Sequence, residues 1–338
     1  MREYPRNVVL LDVLSEIHET TEREMPRGDF FACLRALWAV RNNYDALLIL
    51  QPTQELILPL FVLKPFMRGE VIGDAFTSLY DTVIEDRALA GAMSLKAFYY
   101  AMLDRLLIAI SDVLFFDTAE HEAYFRSKFV LGKRRTLVVP VAVDMAKMEH
   151  VTAKKLPHHH DGDFEVLFCG KFIPLQGIEH IIRAAALLRD EMHIHFTLLG
   201  NGQTYAAMQT LANDLLPLNL TWIERVPYDD LLAYTKGADL SLGIFGGSAK
   251  ASRVISNKVV ESLALGAPLV TLRNPPLTRL LKDGESVFFA NPADPEDLAK
   301  TIRTAYNTKD LKAVGEAGKR VAARHMSEAH LKEILASL

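Results

Sequence analysis

The stretch FEVLFCGKFIPLQGIEHIIRAAALL, from Phe164 to Leu188, holds a strand, a turn and a helix in that order. Phe, Val, Leu and Cys dominate its first six residues, the composition of a buried strand. Gly170 ends that run, and Gly177 opens a helix over 177–189. Glycines at such a turn let a ligand come close to the backbone, and the helix start offers free amides to an anion. Lys171 stands in the turn and supplies charge for such a ligand; the plainer alternative is a surface lysine in a loop.

Reading outward, the alternation continues. HIHFTLLG (193–200), LTWIE (220–224), DLSLGIF (239–245), PLVTL (268–272) and SVFFA (286–290) read as strands, with helices at 203–215, 228–237, after Ser256 and from about Pro295. The front half repeats the pattern, with strands at 7–14, 46–51, 70–76, 112–118 and 135–143. Helices are expected there at 29–41, 85–109 and 119–129, the last opened by a capping box of Asp117, Thr118 and Glu120. Strand and helix in turn imply parallel sheets with helices on both faces.

Residues 146–163, AKMEHVTAKKLPHHHDGD, are polar and aperiodic and read as a linker. The expected division is a first domain over 1–147, a linker over 148–163 and a second domain over 164–322. Residues 323–338 form a C-terminal helix, with packing back onto the first domain left open. Two parallel-sheet domains leave a cleft between them, and ligands bind beyond the carboxyl ends of such strands.

Composition narrows the function. A chain of 338 residues, half of them hydrophobic, has ample core for two domains. A net charge of -4 argues against nonspecific nucleic-acid binding. Two cysteines, Cys33 and Cys169, make no disulfide framework, and the opening MREYPRN is not a signal peptide, so a cytoplasmic location is expected. The most apolar stretch, 47–67, is interrupted by Gln51, Pro52, Gln54 and Glu55, short of the roughly 20 clean apolar residues of a membrane span. His158–His160 and Asp161-Gly162-Asp163 resemble metal ligands, but they precede their strand in a flexible segment, and a solvated linker is preferred. Gly200 and Gly202 lack the third glycine of a dinucleotide fingerprint, because Tyr205 stands there. Hydrolase and phosphate-loop motifs are missing.

The segment KASRVISNKVVESLALGAPLVT (250–271) is the most pointed. Lys250, Arg253 and Lys258 crowd the start of a helix, where the backbone dipole disfavours cations unless an anion binds. Ser256 is a candidate N-cap, with Asn257 and Lys258 in the first turn and Glu261 further along. Gly246 and Gly247 make the preceding loop one of close approach. Lys171, Lys250, Arg253 and Lys258 leave carboxyl ends of one sheet and are expected to converge on a phosphate-bearing ligand; a solvated basic loop before a core helix is the alternative.

These residues carry a resemblance. LFCGKFIPLQGIEHIIRAAALL, FTLLGNGQ, VPYDDLLAYTKGADLSLGIFG, SNKVVESLALGAPLVT and LLKDGESVFFANPADPEDLAKTI resemble, in order and spacing, the donor domain of GT-B glycosyltransferases, close to the retaining family 4 (group 1). The first half is similar to the acceptor domain more weakly, and looks abbreviated at its start. The resemblance implies an α/β GT-B fold of two Rossmann-like domains facing across a cleft. It places Lys171 and the helix start Ser256–Asn257–Lys258 at a donor diphosphate, Glu261 at the ribose and the backbone of Val226 at the base. Asp74 lies loosely where the family has a residue facing the donor sugar. Arg253 stands in place of the first glutamate of the family's pair, and Gln176 in place of its second diphosphate cation; Lys250, Arg253 or Lys258 is expected to restore the charge.

The expected activity is retaining, metal-independent sugar transfer from a nucleoside-diphosphate-sugar donor, with no cofactor, to a sugar, lipid-linked or protein acceptor. A non-catalytic nucleotide-sugar binder or partner subunit, and a sugar-nucleotide epimerase, are the alternatives. Peripheral membrane contact through Phe61–Lys64 and Lys133–Arg135 is weighed against ordinary surface, which the thin basic clustering favours.

Overall fold

Strands of Val, Leu, Ile and Phe, each leading into a helix, pair only in parallel in the computed structural model, which describes residues 4–26, 28–51, 54–336 and 338. Pro52 lies outside the described residues. The chain divides into two units, Met1–Pro140 with Leu331–Leu338, and Val141–His330.

In the first unit β1 (Ala46–Ile49), β2 (Glu70–Asp74), β3 (Val113–Phe116) and β4 (Arg135–Val138) lie side by side in chain order. Helices Gln54–Leu63, Leu95–Ile110 and Ala119–Lys128 make the crossovers, and Ile49, Val71, Leu107, Leu114, Phe116 and Phe125 meet in the core. In the second unit β5 (Phe164–Cys169), β6 (Ile194–Leu199), β7 (Leu220–Ile223), β8 (Leu240–Leu242), β9 (Leu269–Leu272) and β10 (Phe288–Ala290) take the order β10-β9-β8-β5-β6-β7. The chain runs outward from β5 through β6 and β7, then returns to the other side of β5 as β8. Between β5 and β8 the winding reverses, and adjacent loops splay apart beyond the strand ends.

Three expectations are corrected. Residues 7–14 are not a strand but part of the helix Pro5–Ile17, which buries Val9, Leu10, Leu11, Val13 and Leu14. A helix apolar on most of its surface has no 3.6-residue stripe to betray it. The strand expected over 135–143 stops at Val138, because Pro140 follows and the carbonyls of Val139 and Pro140 accept hydrogen bonds from Arg6 at 2.8 and 3.1 Å. The helix expected over 85–109 is a wide turn at Asp81–Asp86 followed by the helix Leu95–Ile110; Ala88 at φ 49° breaks the chain direction, and Ser94 caps the new helix through the Ala97 amide. The helix expected over 119–129 is Ala119–Lys128, with Glu120 in its first turn; Thr118 caps it through the His121 amide, and His121 Nδ1 meets Asp117 Oδ1 at 2.6 Å.

Residues 141–147, given to the first domain by composition, lie in the second unit. The Val143 amide donates to Met326 O at 3.0 Å, and the helix Met145–His150 follows. At the other end, residues 331–338 lie in the first unit, where Lys332 pairs with Glu16 at 2.9 Å. No helix of the described residues is long and apolar enough to cross a membrane.

The Pro5–Ile17 helix brings Arg6 to the carboxyl end of β2, where its guanidinium pairs with Asp74 at 3.2 Å. Both side chains are buried, and Arg6 also covers the Phe76 ring. Burial pushes the Asp74 pKa up while Arg6 opposes the rise. Arg6→Met strands that carboxyl and is expected to cost about 3–5 kcal/mol at neutral pH. The loss shrinks as acid protonates Asp74; urea unfolding at two pH values measures both.

Candidate functional site

At the winding reversal two loops meet, 170–177 after β5 and 243–256 after β8. They are joined directly: the Phe245 amide donates to Gln176 O at 3.0 Å and the Gly246 amide to Leu175 O at 3.2 Å. Gly177, at φ 65°, allows this, since a Cβ there would lie 2.4 Å from the Phe245 carbonyl carbon. Gly246 is a close approach to the chain's own backbone at Pro174 and Leu175; Gly247 is exposed beside Ala293.

The helix Asn257–Ala264 starts here, with Ser256 extended at its N-cap. The first helical hydrogen bonds come from Val259 and Val260 to Ser256 O, so the Asn257 and Lys258 amides precede the ladder. The Ser256 hydroxyl, the Asn257 carboxamide oxygen and the Lys258 ammonium are buried and have no hydrogen-bond partner among the described residues. Lys258 reaches back across β5: its Nζ lies 3.5 Å from the centre of the Phe168 ring, and a Cβ on Gly170 would come within 2.6 Å of it. The aromatic face offsets part of the loss of hydration. Burial still pushes the Lys258 pKa down to about 7, although Cys169 and Glu261 oppose the shift.

One turn on, Glu261 is buried, and burial raises its pKa against the opposing pull of Tyr228, Lys258 and Lys147. Its Oε1 accepts a hydrogen bond from the Tyr228 hydroxyl at 2.7 Å. Tyr228 opens the helix Tyr228–Gly237, with Lys147 Nζ 5.3 Å from its ring centre. Val226 packs, half-buried, against the cluster of Leu167, Cys169, Leu199 and Tyr234.

The expected cations do not share one environment. Lys258 is built into the site, Lys171 is exposed just beyond Gly170, Lys250 is buried, and Arg253 is half-buried. Lys250 and Arg253 both have interactions of their own. The Asn274 amide anchors their loop by donating to Ala251 O and Val254 O, both at 3.0 Å. Sequence reading missed Asn274 and Tyr228. The signal for Asn274 was its place before Pro275-Pro276, where its Oδ1 caps a short helix. Tyr228 had no local signal.

Asp74, expected to face a sugar, is buried and paired with Arg6 in this structure. Of the membrane-facing candidates, Phe61 and Val62 are exposed, Lys64 pairs with Asp112, and Arg135 grips both carboxylate oxygens of Glu70. Among the described residues no group of three His, Cys, Asp or Glu is placed to hold a metal. His159 instead lies 3.5 Å from the buried Glu165.

Residues 163–308 match the family Glycosyl transferases group 1. An uncharacterised glycosyltransferase of Methanocaldococcus jannaschii is 26% identical over 166 residues, 48% of this chain and 44% of that protein. The chain spans less than half the length of the curated relatives it matches. Sucrose-phosphate synthase from Thermosynechococcus elongatus superposes with a TM-score of 0.71 at 14% identity, over 93% of this chain and 79% of that one. Anabaena HepE in complex with UDP-glucose gives 0.69 at 15% identity, over 97% and 89%. The fold is GT-B.

Because the fold disfavours charged Lys258, the unfolded chain binds more protons between about pH 7 and the ordinary lysine value of 10.5. Its penalty is full below about 7 and fades as pH rises toward 10.5. Lys258→Met is expected to stabilise the ligand-free protein on the order of 1–4 kcal/mol at pH 6, an advantage that vanishes near the upper value. Denaturant midpoints across that range measure it.

Proposed function

We propose that the chain is a retaining glycosyltransferase that takes a sugar from a nucleoside-diphosphate-sugar donor, with the diphosphate at the start of the helix Asn257–Ala264. The observation that carries this reading is the buried Lys258 ammonium, without a hydrogen-bond partner among the described residues, beside two free-ended helix amides. An anion there satisfies donors that the protein leaves unsatisfied, each charge-assisted hydrogen bond contributing about 1.5–3 kcal/mol. That HepE was solved with UDP-glucose supports a nucleotide sugar as the anion.

In this reading Lys258 and the Asn257 and Lys258 amides take up the charge that gathers on the leaving diphosphate as the bond to the sugar breaks. A diphosphate is a weak base, so no strong general acid is required, and no metal is invoked. Lys171 stands at the open edge of the site, Glu261 meets the ribose, and the backbone near Val226 meets the base. Lys250 and Arg253 act from the facing loop. A non-catalytic nucleotide-sugar binder is the second reading, favoured by the enclosed Asp74 and by Arg253 in the position of the family's first glutamate. Donor hydrolysis or sugar transfer separates the two.

The deciding experiment is a thermal-shift and calorimetry panel of UDP, GDP, ADP and their common sugar conjugates. A ligand at 100 times its dissociation constant adds about 2.7 kcal/mol of stability. One nucleotide is expected to shift the transition and Glu261→Ala to abolish the shift; no shift with any of them sinks the donor site. Because an anion favours protonated Lys258, affinity is expected to hold below about pH 7 and to fall above it. The fall is up to about tenfold per pH unit. Lys258→Met flattens that dependence.

A further inference from the structure

We propose that Tyr228 is a positioning residue that fixes the carboxylate of Glu261 for the ribose, and so makes the donor site select ribonucleotides over 2′-deoxyribonucleotides. The inference rests on the donor-site reading above. It starts from the 2.7 Å hydrogen bond between the Tyr228 hydroxyl and Glu261 Oε1, made from the first residue of one helix to a buried carboxylate on another.

A buried carboxylate with no donor rotates about its last bond and tends to take up a proton. Either change spoils it as a double acceptor for a vicinal diol. One fixed donor on Oε1 sets the carboxylate plane and keeps the proton on the tyrosine. Glu261 Oε2 makes no hydrogen bond to the described residues and is left to accept from the sugar. The geometry keeps Tyr228 a donor: burial and the neighbouring Glu261 push its hydroxyl far above its ordinary pKa. Lys147, 5.3 Å from the ring centre and 3.7 Å from Asp229, holds the other side of the ring. The pair thus joins the helix after β7 to the helix after β8, on either side of the β5 strand end.

Removing the hydroxyl is expected to weaken the reading of the diol without unmaking the pocket. The test compares UDP, GDP and ADP with their 2′-deoxy counterparts by calorimetry, on the unaltered protein, Tyr228→Phe and Glu261→Gln, with urea midpoints as the check on folding. The unaltered protein is expected to prefer the ribo form of its nucleotide by tenfold or more. Tyr228→Phe is expected to weaken the ribo form about 5- to 20-fold while changing the 2′-deoxy form less than twofold, so that the preference collapses. Glu261→Gln is expected to lose the same preference. Equal losses for both sugars would mark Tyr228 as merely structural and overturn the assignment, as would a preference that survives either substitution. No binding of UDP, GDP or ADP by the unaltered protein overturns the donor site itself, and the assignment with it.

Discussion

The Lys258 ammonium, laid over Phe168 without a hydrogen-bond partner among the described residues, sets the terms for the second unit. A cation in such a place costs folding free energy, and a Met or Leu would pack there at less cost. The surrounding backbone is nonetheless shaped to admit it. A side chain on Gly170 would collide with Nζ, and a Cβ on Gly200 would lie 1.9 Å from Gly170 O. Glycines there let two strand ends and a lysine occupy one small volume. That unsatisfied ammonium is what the proposed diphosphate site rests on.

Around that cation the site is assembled from separate loops rather than from one motif. Gln176 and Leu175 hold the loop after β8 through backbone hydrogen bonds, Asn274 anchors the same loop from beyond β9, and Tyr228 reaches Glu261 from the helix after β7. Each contact joins segments far apart in the chain, so the charge pattern of the helix Asn257–Ala264 acquires its geometry only when the sheet has formed. In the first unit Arg6 pairs with Asp74 in the interior, while Arg6 Nε and Asp74 Oδ2 have no hydrogen-bond partner among the described residues.

Much of the second unit was legible because its sequence periods are clean. Val166, Phe168, Phe196 and Leu198 announce strands, and the glycines at 170 and 177 mark the turn between a strand and a helix. The helix bearing Lys258 and Glu261 was legible from its cap and its charges. The first unit was less so. NVVLLDVL is apolar without a period that separates strand from helix, and only the burial of most of its surface settles the matter. Asp74 showed as a polar residue at a strand end, but its partner lies 68 residues earlier.

The sequence by itself determined the class of fold, the reversal-side loops and the residue types brought to the proposed anion site, because strand and helix periods and glycine positions are local properties. Tertiary structure decided which of those residues act together. It buried Lys258 and lowered its proton affinity, exposed Lys171, enclosed Asp74 and set Tyr228 on Glu261. Desolvation and hydrogen-bond partnership depend on what packs nearby in space, and no spacing along the chain encodes them.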